Sequence, residues 1–144
     1  AVLDADARRA ITRRESITDA PNYYLRDLGT GTVATLTSFQ DPAPQFAGVT
    51  KELITYQRAD GVQLSATLYL PPGYDKTRDG PLPFLLWAYP REFLTASAAA
   101  QVSGSPYRFT RPGGSSHLYA LTQGYGVLDG PTMPIIASRK PQSK

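Results

Sequence analysis

Few residues in this chain are equipped for polar chemistry. His117 is the only histidine, and cysteine is absent. A histidine works as a general base only with a nucleophile in reach and a carboxylate to orient it. The sequence offers neither at a recognisable spacing, so the simpler expectation is a histidine at a helix start, near solvent or in a polar contact. Gly113-Gly114-Ser115 contains Gly-x-Ser, but Ser116-His117 follow and no strand leads into it. Gly104 and Ser105 stand in a loop. Neither is the Gly-x-Ser-x-Gly elbow that holds a nucleophilic serine between strand and helix. One histidine and scattered acids speak against a transition-metal site. Without cysteine there is no thiolate nucleophile, disulfide or Cys-ligated zinc. No Gly-x-x-x-x-Gly-Lys phosphate loop occurs, and no cofactor is expected. Aromatic residues remain. Tyr23, Tyr24, Tyr69, Tyr107, Tyr119 and Tyr125 mostly fall on strands or a helix, where packing accounts for them. Tyr89 differs, because it stands where an apolar strand ends and a long loop begins. Open α/β sheets bind ligands beyond the carboxyl ends of their strands, and a phenol there can donate a hydrogen bond to an oxyanion.

Composition bounds the rest. The chain has 144 residues, 41% hydrophobic and 19% charged, with thirteen Pro and twelve Gly. That supports a core built from short strands and turns. No apolar run reaches the length of a membrane span, and the N-terminus carries no basic-then-apolar signal segment; the compartment stays open. The net charge of +3 invites a nucleic-acid reading. Yet residues 139–144 hold Arg139, Lys140 and Lys144 without an acid, so the excess sits in a short tail and nucleic acid is not expected as a partner.

The elements that must position Tyr89 are legible in outline. Ala10–Arg14 is a weak strand, and Asn22–Asp27 a stronger one. Thr32–Phe39 alternates, with Val33, Leu36 and Phe39 competing for buried faces; Gly29-Thr30-Gly31 makes it the second arm of a hairpin. Asp41-Pro42-Ala43-Pro44 breaks the pattern, which puts a linker at about 41–49. Lys51–Arg58 and Gln63–Leu70 flank the Asp60-Gly61 turn signal, and Leu64, Ala66, Leu68 and Leu70 share one face. A polar loop runs to Gly80. Pro83–Tyr89 reads as a strand buried on both faces. A long irregular loop spans about 90–113. Ser115 or Ser116 caps a helix through about Gln123, stopped by Gly124. Tyr125–Asp129 is a further buried strand, parallel to the previous one if the crossover is regular.

Several of these segments together resemble the prolyl oligopeptidase family of serine peptidases. They are Arg58-Ala59-Asp60-Gly61-Val62, Leu68-Tyr69-Leu70-Pro71-Pro72-Gly73-Tyr74, the run from Pro83 through Trp87-Ala88-Tyr89-Pro90-Arg91-Glu92-Phe93, and Gln123-Gly124-Tyr125-Gly126-Val127-Leu128-Asp129. The Trp-Ala-Tyr-Pro-Arg-Glu-Phe segment, followed by Gln101-Val102-Ser103-Gly104-Ser105, looks most like the glutamyl-peptidase branch. Ser16 to Gly48 is similar to that family's last propeller blade. The resemblance implies β-propeller strands over 1–48, then the N-terminal part of an α/β-hydrolase domain over 49–144. From about 137 the chain departs from the family.

It further implies peptide hydrolysis by a Ser, Asp, His triad in the full-length relative, with peptides as substrate. Tyr89 matches the family's oxyanion-hole tyrosine. Arg91, two residues on, is a candidate partner for an acidic substrate side chain, or else an ion-pair partner of a nearby acid such as Glu92. The elbow and triad are not among these residues, so the 144-residue chain by itself is expected to be inactive. The competing expectation, from another class, is a non-catalytic binding or scaffold domain that self-associates through exposed strand edges.

Overall fold

The computed structural model describes residues 1–89, 91–93, 95–99 and 105–136. They fall into two compact units. One comprises Ala1–Ala47 with Tyr107–Arg111; the other comprises Gly48–Pro106 and the residues from Pro112 onward.

The first unit is an antiparallel sheet of β1 (Arg9–Arg14), β2 (Asn22–Asp27) and β3 (Val33–Thr35), in that order. The β2–β3 turn is tied by the Asp27 carboxylate, which accepts from the amides of Gly29 and Thr30 at 2.9 Å each. The bond from Thr30, foremost, holds the Asp27 carboxyl below its usual value. The third strand is shorter than its alternation predicts. Past Thr35 the Tyr23 carbonyl still accepts from the Leu36 amide at 2.9 Å, and the Asn22 side chain ties the residues beyond, its Oδ1 accepting from the Phe39 amide at 2.6 Å and the Thr37 hydroxyl at 2.9 Å. Val33, Leu36 and Phe39, expected to compete for burial, are all exposed. The proline-rich segment after them is not a bare linker, since Pro44–Phe46 form a 3-10 turn that buries Phe46 and Ala43.

The second unit is built on a hairpin, β4 (Thr50–Gln57) and β5 (Gln63–Leu70). The Asp60-Gly61 signal does make the turn: the Arg58 amide donates to Val62 O at 2.9 Å, and Gly61 takes a φ of 85° that favours glycine. In the four-stranded sheet the order is β4, β5, β8 (Gly126–Asp129), β6 (Phe84–Trp87). Strand β5 is therefore interior and buries both faces, with Ser65 and Tyr69 covered as well as Leu64 and Ala66. Strand β6 corrects the expectation in the opposite direction. It is an edge strand, and Phe84, Leu86 and Trp87 are 53%, 52% and 56% exposed. Its apolar run suits a strand with neighbours on both sides, and among the described residues it has one.

The loops also hold more structure than their composition predicts. Lys76–Asp79 form a helical turn, α1, with the Asp75 carboxylate capping the amides of Thr77 and Arg78. Within the long loop, β7 (Arg91–Phe93) pairs in parallel with β9 (Pro134–Ile136), and Ala96–Ala99 form a second turn, α2. Phe93 and Ala99 pack with Tyr56, Val62 and Leu64 at the turn end of the hairpin, so burial rather than periodicity orders them. The expected helix at 117–123 is a 3-10 helix, His117–Gln123. Its three-residue repeat stacks side chains three apart along one edge, which brings Leu118 and Leu121 together into the interior. Ser116 Oγ caps the Leu118 amide at 3.2 Å, and Gly124 ends the helix at a φ of 81°.

Candidate active site

Strands β6 and β8 run parallel, Phe84 opposite Gly126 and Trp87 opposite Asp129, so both carboxyl ends open on the same side. The approach is close at the start of the pair. A side-chain carbon on Gly126 would sit 2.5 Å from the Phe84 ring, so glycine lets the ring lie over the strand. At the far end the Gly130 amide donates to the Trp87 carbonyl at 2.8 Å. Beyond that bond the chain leaves the ladder, and Tyr89 stands 82% exposed. The phenol thus lies where the sequence reading puts it, past the carboxyl end of an α/β strand.

His117 opens the 3-10 helix and makes a polar contact, as its sequence context implies, and it also packs on an aromatic ring. Its ring stacks on the Trp87 indole, centroids 4.7 Å apart and planes 8° from parallel. Nε2 lies 2.9 Å from Asp129 Oδ1, with side chains 17% and 31% exposed. The two atoms are in polar contact, although Nε2 has no aligned hydrogen bond. Sequence reasoning missed Asp129 as the carboxylate facing the lone histidine. No local spacing gave a signal, since His117 lies on the 3-10 helix and Asp129 ends a strand that follows it.

The other candidates are not gathered here. Gly113-Gly114-Ser115 lies in an irregular stretch and turn before the 3-10 helix, without a strand leading into it. Arg91 opens β7, and its side chain, like that of Glu92, lies outside what the structure describes; Gly104 and residues 137–144 lie outside the described residues altogether. Among the described residues no group of three potential metal ligands occurs, and no helix is long and apolar enough to cross a membrane. A cavity of about 520 Å³ lies in the first unit, lined by Arg13, Glu15, Tyr23, Phe39, Phe109 and Arg111 among others. Its charges are partly spent internally, since Arg13 pairs with Glu15 at 2.8 Å and Glu15 also accepts from the Phe109 amide.

Away from the strand ends, the Arg58 guanidinium grips Asp60 through two hydrogen bonds of 2.7 and 2.8 Å and donates a third, of 2.8 Å, to Pro134 O. The fork from Arg58 holds the Asp60 carboxyl down at about 2. Thr132 hydrogen-bonds Ser65 through backbone and hydroxyl. The segment after β8 is thereby fastened to the hairpin.

No protein-family model matches the chain. A rice protein (Oryza sativa subsp. japonica) named as a probable chloroplastic glutamyl endopeptidase is 49% identical over 134 residues, 93% of this chain. An Arabidopsis thaliana protein of the same name is 48% identical over the same length. The chain spans 14% of the length of each of these relatives. Among solved structures, AtxE2 isopeptidase in a variant with an astexin bound is similar in fold, with a TM-score of 0.50 and 21% identity over 94% of this chain and 18% of that one. The apo form gives 0.50 and 22% over 88% and 17%. Along nearly its whole length, then, the chain is a homologue of one segment of proteins named as glutamyl endopeptidases.

Proposed function

We propose that the chain is the segment of a prolyl oligopeptidase-family serine peptidase in which a last propeller blade gives way, near residue 48, to the first strands of an α/β-hydrolase domain. One observation carries the reading: the 49% identity to a protein named as a glutamyl endopeptidase extends through both units. The geometry agrees with it. A mixed sheet with parallel β6 and β8 carries an exposed tyrosine past its strand ends. In peptide hydrolysis a serine attacks the scissile carbonyl and negative charge develops on its oxygen. The Tyr89 hydroxyl donates a hydrogen bond to that oxygen, an interaction stronger in the transition state than in the ground state. Arg91 pairs with the carboxylate of an acidic substrate residue, in keeping with the relatives' name.

The elbow pattern does not occur in these 144 residues, so the chain assayed alone gives no triad-dependent turnover. Removing any triad member costs several orders of magnitude. The test is a fluorogenic peptide assay on the purified 144-residue chain beside the full-length protein. Turnover by the short chain that a serine-directed phosphonate abolishes refutes the assignment of roles. In the full-length protein, Arg91→Met lowers cleavage after Glu selectively, by about 10–100-fold for a lost charge-assisted bond. Unchanged selectivity removes Arg91 from the site.

A second reading, a non-catalytic scaffold, draws on the open edge of β6, where apolar side chains line a strand without an outer partner among the described residues. Size-exclusion chromatography separates the two. A compact monomer or a defined oligomer favours an independent module, and aggregation or dependence on a partner favours a peptidase segment.

A further inference from the structure

Trp87, His117 and Asp129 form a group that the proposed chemistry does not use. His117 is the single histidine of the chain and Trp87 the single tryptophan, and the fold lays one flat on the other. Packing alone does not call for a histidine here. Its Nε2 is buried against a carboxylate oxygen 2.9 Å away, a polar contact that an apolar side chain would not make. What the pair does is hold the end of β6. The ladder to β8 runs out at Trp87, whose carbonyl is bound by the Gly130 amide. Its side chain is held by the His117 ring, itself braced at 2.9 Å by Asp129 from the end of β8. Tyr89 comes two residues later, and it is largely exposed. Trp87 is thus the last clamped point before the phenol. An oxyanion donor works only within a few tenths of an ångström of its proper place, so the firmness of that clamp sets how well the hydroxyl is aimed.

We infer that His117 is a positioning residue for Tyr89: its ring, braced by Asp129, clamps Trp87 and with it the end of β6, so that the Tyr89 hydroxyl is presented at one fixed point. The inference rests on the reading of Tyr89 as the oxyanion donor and adds the device that aims it.

The experiment is steady-state peptide hydrolysis by the full-length protein and four variants: Tyr89→Phe, His117→Ala, His117→Phe and the double variant Tyr89→Phe/His117→Ala. Tyr89→Phe is expected to lower kcat about 100-fold. His117→Ala lowers kcat roughly tenfold and leaves KM within about twofold, since only a transition-state contact is misplaced. His117→Phe keeps a flat ring on the indole and recovers kcat to within about threefold of the parent. The double variant is no slower than Tyr89→Phe by more than about twofold, because without the hydroxyl there is nothing left to aim. Additive losses in the double variant, or a His117→Ala effect confined to KM, overturn the positioning role while leaving Tyr89 in place. An unchanged kcat in Tyr89→Phe overturns the oxyanion reading itself, and the inference falls with it. If His117→Ala does not fold, His117→Leu, of similar volume and without a flat ring, stands in for it. Equal kcat for the Leu and Phe variants then refutes the clamp.

Discussion

The contact between Gly126 and Phe84 makes a demand on stability that can be worked out. An alanine side-chain carbon at 126 would come within 2.5 and 2.6 Å of two ring carbons of Phe84, inside any van der Waals separation. The backbone at 126 is not in the left-handed region, so the main chain accepts alanine and the ring must move. Phe84 is 53% exposed, so nearly half its surface is covered. A phenylalanine has about 200 Å² to bury; losing half of that, about 100 Å², costs about 2.5 kcal/mol at 25 cal/mol per Å². Replacing glycine returns about 0.4–1 kcal/mol through the unfolded state. The net is a destabilisation of about 1.5–2 kcal/mol, or a fall in Tm of about 5 °C. Thermal and urea unfolding of Gly126→Ala beside the parent measure it. Phe84→Ala supplies the control, for with the ring removed the same glycine substitution should cost nothing or become stabilising. A Gly126→Ala variant as stable as its parent, or equal costs with and without the ring, would refute the argument and with it the close pairing at the start of β6 and β8.

Three further outcomes are expected. Asp60 titrates near 2 when folded, because Arg58 holds its carboxylate, against an ordinary 3.8. A depressed folded value means that the stabilisation is full above about pH 4 and is lost as pH falls toward 2; Asp60→Asn should flatten part of the acid limb of the stability profile. Asp79, held at about 2 by Arg78, keeps a further part in the same window. Val127 is wholly buried in the middle of β8, so Val127→Ala should cost about 2–3 kcal/mol in urea unfolding, against less than about 0.5 for an exposed site such as Val33→Ala. Trp87 is the sole tryptophan, and His117 covers one face of it. His117→Ala should change its fluorescence and near-UV circular dichroism, and unaltered spectra would mean that the two rings do not stack.

What the amino-acid order reveals here depends on range. The β4–β5 hairpin is legible because alternation and the Asp60-Gly61 turn are local, and so are the caps Ser116 and Gly124 around the 3-10 helix. The edge position of β6 is not legible, because an apolar run records how sticky a strand is and not which neighbours reach it. Strand β7 and the turn at Ala96–Ala99 have too few residues to show a period, and they are ordered by contacts with Tyr56, Val62 and Leu64. Past the end of β3, Asn22, an unremarkable strand residue in sequence, turns its amide group on the Thr37 hydroxyl and the Phe39 backbone. Of the candidate site, the place of Tyr89 after an apolar strand is legible. Asp129 could not be matched to His117, since only the packing of the 3-10 helix against β8 brings them together.

Strand β8 touches the hairpin on one side in antiparallel fashion and β6 on the other in parallel. These two pairings differ from the hairpin's own in when they can form. The β4–β5 turn closes over a handful of residues and can form in microseconds. The β6–β8 pair must bring together positions roughly forty residues apart, with the entropy of the intervening loop lost before any bond is gained. On a chain made from its N-terminus, the hairpin is complete while one flank of β5 still waits for a strand that has not yet been synthesised. During that interval β5 is an open template rather than an interior strand, and β8 is the piece that closes it. Assembly of this sheet is therefore governed by the arrival of Gly126–Asp129, and slowing those four residues prolongs the period in which the nascent chain can pair with the wrong partner.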